Sequence, residues 1–512
     1  MKKEEYQLKQ FDEALKFAKK FDDATLNKNA GQLKNLIDEV EYDIERHDIY
    51  YRVAMYYSLA SATFDLWKME HIDEMPDRES LQKQLFFYRK SIELFSNDCL
   101  RTIADNPYII SLKASVYVNY GNTLDACGRK LLAIEQYYNA LRIYPFHPMA
   151  LGNLGSSYLH YSMFLSSNKG YVRDCINHYA VQMLEEAIYS DDYNIHDDAK
   201  AFFISRLATL SPEYIEFLRK DIQFHTVKKM TKSEQIYRQW CIEGGLFLSP
   251  LSDLPCNNLS FAIDEMSLPP IVISGNQGIP IIIGMFNQLK QEYISARYLY
   301  YESLNYKSKP HFSDKRTSIA ETLEYAQFSL RIEKLKCVYK TLFGILDKIA
   351  YFLNEYFDLG IQNRDINFKS IWQSKKLGKN GYEYKNTLDT SNNFALASLY
   401  WIQRELEKSD DKYASPEFTR MKEVRNSLEH RYTIVTMFTK QVSEIKKNDV
   451  AMYISESELY ELTLNLLKIV REAIICIALC VNVEEAKKIE KLNGKIVAEP
   501  FIVHEIDDEF KF

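Results

Sequence analysis

The sequence predicts an all-α chain, a helical-repeat solenoid in the N-terminal half followed by a C-terminal helical bundle. Three observations carry this prediction. Residues 112–145 hold a helix-pair repeat. Long stretches of helical apolar periodicity return after residue 285. The two residues that interrupt helices are scarce, with 16 Gly and 13 Pro in 512 residues. A chain of that length makes two to four compact units at roughly 150 residues each. Its 46% hydrophobic and 26% charged residues are ordinary globular proportions and argue against extended disorder. The 37 Tyr and 28 Phe supply the bulk that stacked helices need between them.

Counting from Ala114, Tyr117, Tyr120, Gly121 and Leu124 take the large–large–small–large places of a first helix. Ala133, Tyr137, Ala140 and Pro145 take the corresponding places of a second. The spacing resembles the tetratricopeptide repeat (TPR), in which large residues knit two helices and small ones let them approach. Gly121 and Ala133 are the close-approach positions, and Pro145 ends the second helix. A second unit begins in phase with Leu151, Leu154, Gly155 and Tyr158, and its later places fall to Ala180, Leu184 and Ala187. The segment SSNKGYVRDCINH between them reads as an insertion. A weaker, earlier unit runs through Tyr56, Leu59, Ala60, Tyr88 and Ser91. Such units cannot bury their faces alone, so helices near 5–45 and 198–240 are expected as caps. The degenerate repeat domain therefore spans 1–243.

Residues 244–294 form a Pro/Gly-rich connector holding Pro250, Pro255, Pro269, Pro270 and Pro280. Its run PPIVISGNQGIPIII is too apolar to stay in water and should pack against one of the halves as a short strand or extended segment. A bundle then occupies 295–490, with 491–512 as a tail. Its first long helix should cover 320–357, with an apolar stripe from Leu323 and Ala326 to Leu353. A second is expected near 392–408. A third should begin at Ser415-Pro416, with Ser capping and Pro at the first helical position. The last should begin near Ser455, where Ser455 and Glu458 have capping-box spacing. Four such helices read as a bundle.

The net charge of -7 removes the overall basic balance of many nucleic-acid binders, while leaving room for a local basic surface. The candidate for that surface is the loop holding Arg364, Lys369, Lys375, Lys376 and Lys379, opposed only by Asp365; a merely solvated loop is the alternative. The eight cysteines show no Cys-x-x-Cys pair and no cysteine–histidine cluster, so no metal and no cofactor are expected. Cys476 and Cys480 read as small core residues. The start, MKKEEYQLKQFDEALKF, lacks the apolar stretch of a signal peptide. Lys468, Arg471 and Glu472 break the most apolar helix, so no membrane span is expected. A cytoplasmic location follows from these expectations.

Within the third bundle helix stands MKEVRNSLEHRY, residues 421–432. Arg425-Asn426-Ser427-Leu428-Glu429-His430 resembles the Arg-polar-x-x-x-His signature of HEPN domains, and the helices around it follow that family's order. The resemblance covers about 295–490, and it is to the branch in which tetratricopeptide repeats precede the HEPN domain. The spacing recurs at Arg142/His147, where Pro145 intervenes, and at Arg173/His178, inside the expected insertion. Helical context therefore selects the third occurrence. His430 is also the sole histidine between His311 and His504.

At 100° per residue, Asn426 and His430 share a helix face, while Arg425 lies about 140° from His430. Two such helices meeting across a two-fold axis would pool these residues, and the resemblance implies a homodimer of that kind. It implies metal-independent endoribonuclease chemistry on an RNA substrate, giving a 2′,3′-cyclic phosphate and a 5′-OH. His430 would be the general acid or base. Arg425 would neutralise charge on the phosphate, and Asn426 would orient one or the other. Related architectures are found among toxins and anti-phage defence proteins, and the repeats would bind a protein or peptide.

Plainer readings accompany each residue. Arg425 and Glu429 have the spacing of a surface ion pair. Asp347 and Lys348, mid-way along an apolar stripe, either lie at its edge or, like Glu429, support the site from behind. Trp372 and Trp401 have faces that can stack on bases, yet core packing is their commoner use. The competing function is a non-catalytic TPR–HEPN adaptor whose bundle only dimerises.

Overall fold

The computed structural model describes residues 3–71, 77–96, 100, 105–166, 170–189, 195–220, 222, 229–256, 258–272, 279–304, 310–321, 325–375, 382–384, 388–406, 412–437, 450–492, 506 and 508–511. The fold is all-α, with 16 α-helices and two short strand pairings among these residues. It divides into two compact units. The first is Met1–Met163, Gly170–Gln223 and Ser409–Ser415; the second is Phe164–Lys169, Phe224–Lys408 and Pro416–Phe512.

The first unit is a run of helix pairs: α1 (Lys3–Leu26) and α2 (Ala30–Asp43), α3 (Ile49–Glu70) and α4 (Arg78–Phe95), α5 (Pro107–Ala126) and α6 (Lys130–Ile143), α7 (Pro148–Met163) and α8 (Gly170–Tyr189), then α9 (Asp197–Leu207) and α10 (Pro212–Leu218). Their starts are set locally. The side chains of Asn29, Asp48, Asp77 and Asn106 each accept a backbone N–H of the following first turn, and Pro107 opens α5. Helix pairs close where the repeat spacing requires. A methyl group on Gly121 would lie 2.5 Å from the Tyr137 ring, and one on Gly155 would lie 2.9 Å from the Ala180 carbonyl oxygen. Tyr56, Leu59, Ala60, Tyr88 and Ser91 are buried together in the α3–α4 region, where Ser91 Oγ donates to the Val53 carbonyl at 2.9 Å.

The expected insertion SSNKGYVRDCINH is helical over its last nine residues, because α8 begins at Gly170. The extra length is added as turns at the start of the second helix, which leaves Ala180 and Leu184 in phase against Gly155.

The second unit contains α11 (Lys232–Glu243), α12 (Ile281–Leu304), α13 (Leu330–Tyr356), α14 (Phe394–Leu406), α15 (Pro416–His430) and α16 (Glu456–Leu492). Strands β1 (Gln373–Lys375) and β2 (Tyr382–Tyr384) pair antiparallel; β3 (Tyr432–Thr436) and β4 (Ala451–Ser455) pair parallel. Ala326 bridges Thr436, so the helix expected from 320 starts only at Leu330, where Ser329 caps it by accepting from Ile332 N. Leu323 lies outside the described residues. The central helix is α16, packed on α12, α13 and α14 and buried continuously from Val470 to Val481. Ser455 caps it, accepting from Glu458 N at 3.2 Å, while the Glu458 carboxylate turns to Arg420 Nε at 2.6 Å.

The Pro/Gly-rich segment is built into this unit by two buried arginines. Arg471 on α16 donates to Asp253 at 2.7 and 2.9 Å, and to the carbonyls of Phe247 and Ser249 at 2.5 and 2.9 Å. Arg297 on α12 donates to both oxygens of Asp264 at 2.8 Å and to the Leu246 carbonyl at 2.9 Å. Two of the charges that interrupt the apolar helix are thus used inside the protein, Arg471 as described and Glu472 by accepting from Ser398 Oγ at 3.2 Å. Ile281–Ile283 of the apolar run open α12. No described helix is long and apolar enough to cross a membrane.

Candidate active site at the end of helix α15

Helix α15 is fixed from both sides. Met421 and Val424 are fully buried, and Tyr339 on α13 donates its hydroxyl to the Met421 carbonyl at 2.8 Å. From α16, Asn465 Nδ2 donates to Glu417 at 2.7 Å, beside the Arg420–Glu458 pair. The end of the helix is fastened as well. Ser427 Oγ meets Thr433 Oγ1 at 2.7 Å, and Arg431 N donates to the Ser427 carbonyl at 2.8 Å. The chain passes directly into β3, held on one side by β4 and on the other by the bridge at Ala326. His430 is the last helical residue, so a short sheet begins two residues beyond it.

The structure brings Arg425 and Asp347 together. Arg425 Nη2 donates to Asp347 Oδ2 at 3.2 Å, and its guanidinium lies 5.8 Å from the centroid of the Phe343 ring. Both side chains are partly exposed, at 37% and 41%. Burial pushes the Asp347 carboxyl up from its ordinary value; Arg425 and the backbone N–H of Phe368 pull it down, and Glu429 pushes it up. Arg425 therefore turns to α13 and does not form the i,i+4 pair with Glu429. Glu429, Asn426 and His430 are exposed. Asn426 and His430 share that outward face, as helical spacing requires.

Other candidates are placed elsewhere. Lys348, one residue on from Asp347, pairs with Glu292 on α12. Lys369 is half-buried in the loop after α13, next to Phe368, and Arg364 pairs with Asp365 at 3.6 Å. Lys375 ends β1; Lys376 and Lys379 lie outside the described residues. Trp372 and Trp401 are buried in the core, Trp372 edge-on to Tyr400 at 5.5 Å. Cys476 and Cys480 are buried.

The earlier Arg-x-x-x-x-His occurrence changes standing. Arg173–His178 lies within α8 and not in a loop. His178 is buried, with Nδ1 at 2.6 Å from the Leu218 carbonyl and Nε2 at 3.0 Å from Gln182. Arg173 Nε donates to the Ser162 carbonyl at 3.3 Å. Both residues are structural. One feature near Arg425 was not legible in the sequence: the strand clasp after His430. The clasp's only sequence trace is the β-branched TIV in β3.

Arg425, Asn426 and His430 thus lie on the last turns of the penultimate long helix of the bundle. Residues 273–484 match the family model described as LA2681-like HEPN, so this segment is similar to that family. The match takes in α12 to most of α16 and includes Asp347 and all three residues of the motif. No curated protein and no solved structure matches the chain.

Proposed function

We propose that the protein is a metal-independent endoribonuclease acting as a homodimer in the cytoplasm, with the N-terminal helix pairs as a tetratricopeptide-like surface for a regulatory protein or peptide. The observation that carries this reading is an exposed His430, five residues after an arginine tethered to α13, inside the segment similar to LA2681-like HEPN. In the proposed reaction the ribose 2′-OH gives up its proton and attacks the adjacent phosphorus. The P–O5′ bond breaks, leaving a 2′,3′-cyclic phosphate, and the departing O5′ takes a proton. The two His430 imidazoles of a dimer supply and receive these protons. Arg425 neutralises charge building on the phosphoryl oxygens, and Asn426 orients the phosphate or His430. Growth arrest by a toxin or anti-phage defence protein is the setting that fits such an activity.

The test is incubation of the full chain with total RNA and EDTA, beside Arg425→Ala and His430→Ala. Expected are 5′-OH and cyclic-phosphate ends from the unaltered protein and a loss of at least about a hundredfold in each variant. Cleavage that needs a divalent ion, or that survives both substitutions, refutes the reading. One observation favours a second reading, a non-catalytic adaptor. Within a single chain Arg425 turns to α13 while His430 faces outward, so the two do not converge. A protein that dimerises through the bundle and binds a partner through its repeats, yet never cleaves RNA, is the result that establishes the adaptor.

A further inference from the structure

The Asp347 carboxylate holds the arginine of the candidate site. It lies on α13 and accepts Arg425 Nη2 of α15 at 3.2 Å. The guanidinium has five N–H donors, and this contact uses one of them. Stability does not explain the arrangement, since an ion pair so exposed adds little. A carboxylate beside an arginine meant for a phosphate also lowers the local positive charge. What the contact does supply is direction. Phe343 under the guanidinium and Asp347 at one of its nitrogens leave a single orientation for a long, flexible side chain.

We propose that Asp347 is a positioning residue for the site: it holds Arg425 by one nitrogen, leaving the remaining donors to a phosphodiester. This rests on the nuclease reading above. Freezing an arginine side chain before substrate arrives is worth up to about thirtyfold in rate. Because the substrate contacts Arg425 and not Asp347, the effect falls on kcat.

The experiment compares the full chain with Asp347→Asn and Asp347→Ala on a mixed-sequence fluorophore–quencher RNA, with melting temperatures followed in parallel. Asp347→Ala is expected to lower kcat about ten- to thirtyfold with KM changed less than about threefold. Asp347→Asn keeps an acceptor oxygen for Arg425 and should recover most of the rate. Melting should stay within a few degrees for both. Unchanged or raised kcat in Asp347→Ala overturns the proposal; a rise would mark the carboxylate as a competitor of the phosphate. An Asn variant as impaired as the Ala variant also overturns it. If the unaltered protein cleaves nothing, the nuclease reading falls and the positioning role falls with it, whereas cleavage that is indifferent to Asp347→Ala overturns the positioning role alone.

Discussion

Replacing Asp253 by Ala tests whether the Pro/Gly-rich segment is structural or a linker. The carboxylate forms two bonds with Arg471, and the side chains of this pair are only 10% and 6% exposed. Without it, the Arg471 charge remains inside the protein, with the Phe247 and Ser249 carbonyls among its acceptors but no carboxylate from Asp253. Removing one partner of a buried pair costs about 3–5 kcal/mol. At about 2–4 °C per kcal/mol for a unit of this size, the second unit should melt roughly 6–20 °C lower. Tryptophan fluorescence is a suitable readout, because Trp240, Trp372 and Trp401 belong to that unit and only Trp67 to the other. Replacing both partners with apolar residues, Asp253→Leu with Arg471→Met, should return stability to within about 1 kcal/mol of the original. A loss below about 1 kcal/mol in Asp253→Ala would refute the reasoning, since that is the size of a surface pair and the segment would then be a linker.

Gly121→Ala should destabilise the first unit by about 1–3 kcal/mol, because the new methyl meets the Tyr137 ring at 2.5 Å. Gly344→Ala, in the middle of α13 with nothing within 4 Å, should stabilise the second by about 0.5–1 kcal/mol; urea titrations check both. Burial pushes the His160 imidazole down to about 4, with Lys130 adding to the effect. The folded form then resists a proton that the unfolded chain accepts below about 6.5. Stability is therefore full above pH 6.5 and falls as pH drops toward 4; melting at pH 7.5 and 5 should show a smaller drop in His160→Gln. Mixed dimers of unaltered and His430→Ala protein should cleave RNA no faster than His430→Ala alone, because the pooled site needs both imidazoles. Mixed dimers that keep half or more of the unaltered activity would count against a pooled site.

The helical fold was legible because its determinants are local. Apolar spacing fixes α13 and α16, Ser455 caps where its spacing with Glu458 predicts, and Gly121 stands where the partner helix passes closest. What was less legible depends on distant partners. Nothing near Ala326 announces that it will bridge Thr436, and so the start of α13 was misplaced by that pairing. Arg471 and Asp253 are 218 residues apart, and neither advertises the other. In the site, Asp347 stood out as a charge inside an apolar stripe. Its direction did not, because Lys348, its immediate neighbour, points to α12 while Asp347 points to α15.

The three Arg-x-x-x-x-His occurrences show which property separates a site from a scaffold. Helical context does not: Arg173–His178 lies well within α8, whereas His430 is the final residue of α15. Solvent and partners do. His178 has one ring nitrogen against a carbonyl and the other against Gln182, away from solvent, so no ribose hydroxyl can reach it. His430 is exposed on the same outward face as Asn426. The distinction was in fact written locally. His178 is surrounded by Cys175, Ile176, Ala180 and Val181, all buried, which is the pattern of a helix covered on several sides. His430 stands between Glu429 and Arg431, both exposed. A histidine that must exchange protons with a substrate needs the second environment, and of the three occurrences only Arg425–His430 falls within the segment similar to LA2681-like HEPN.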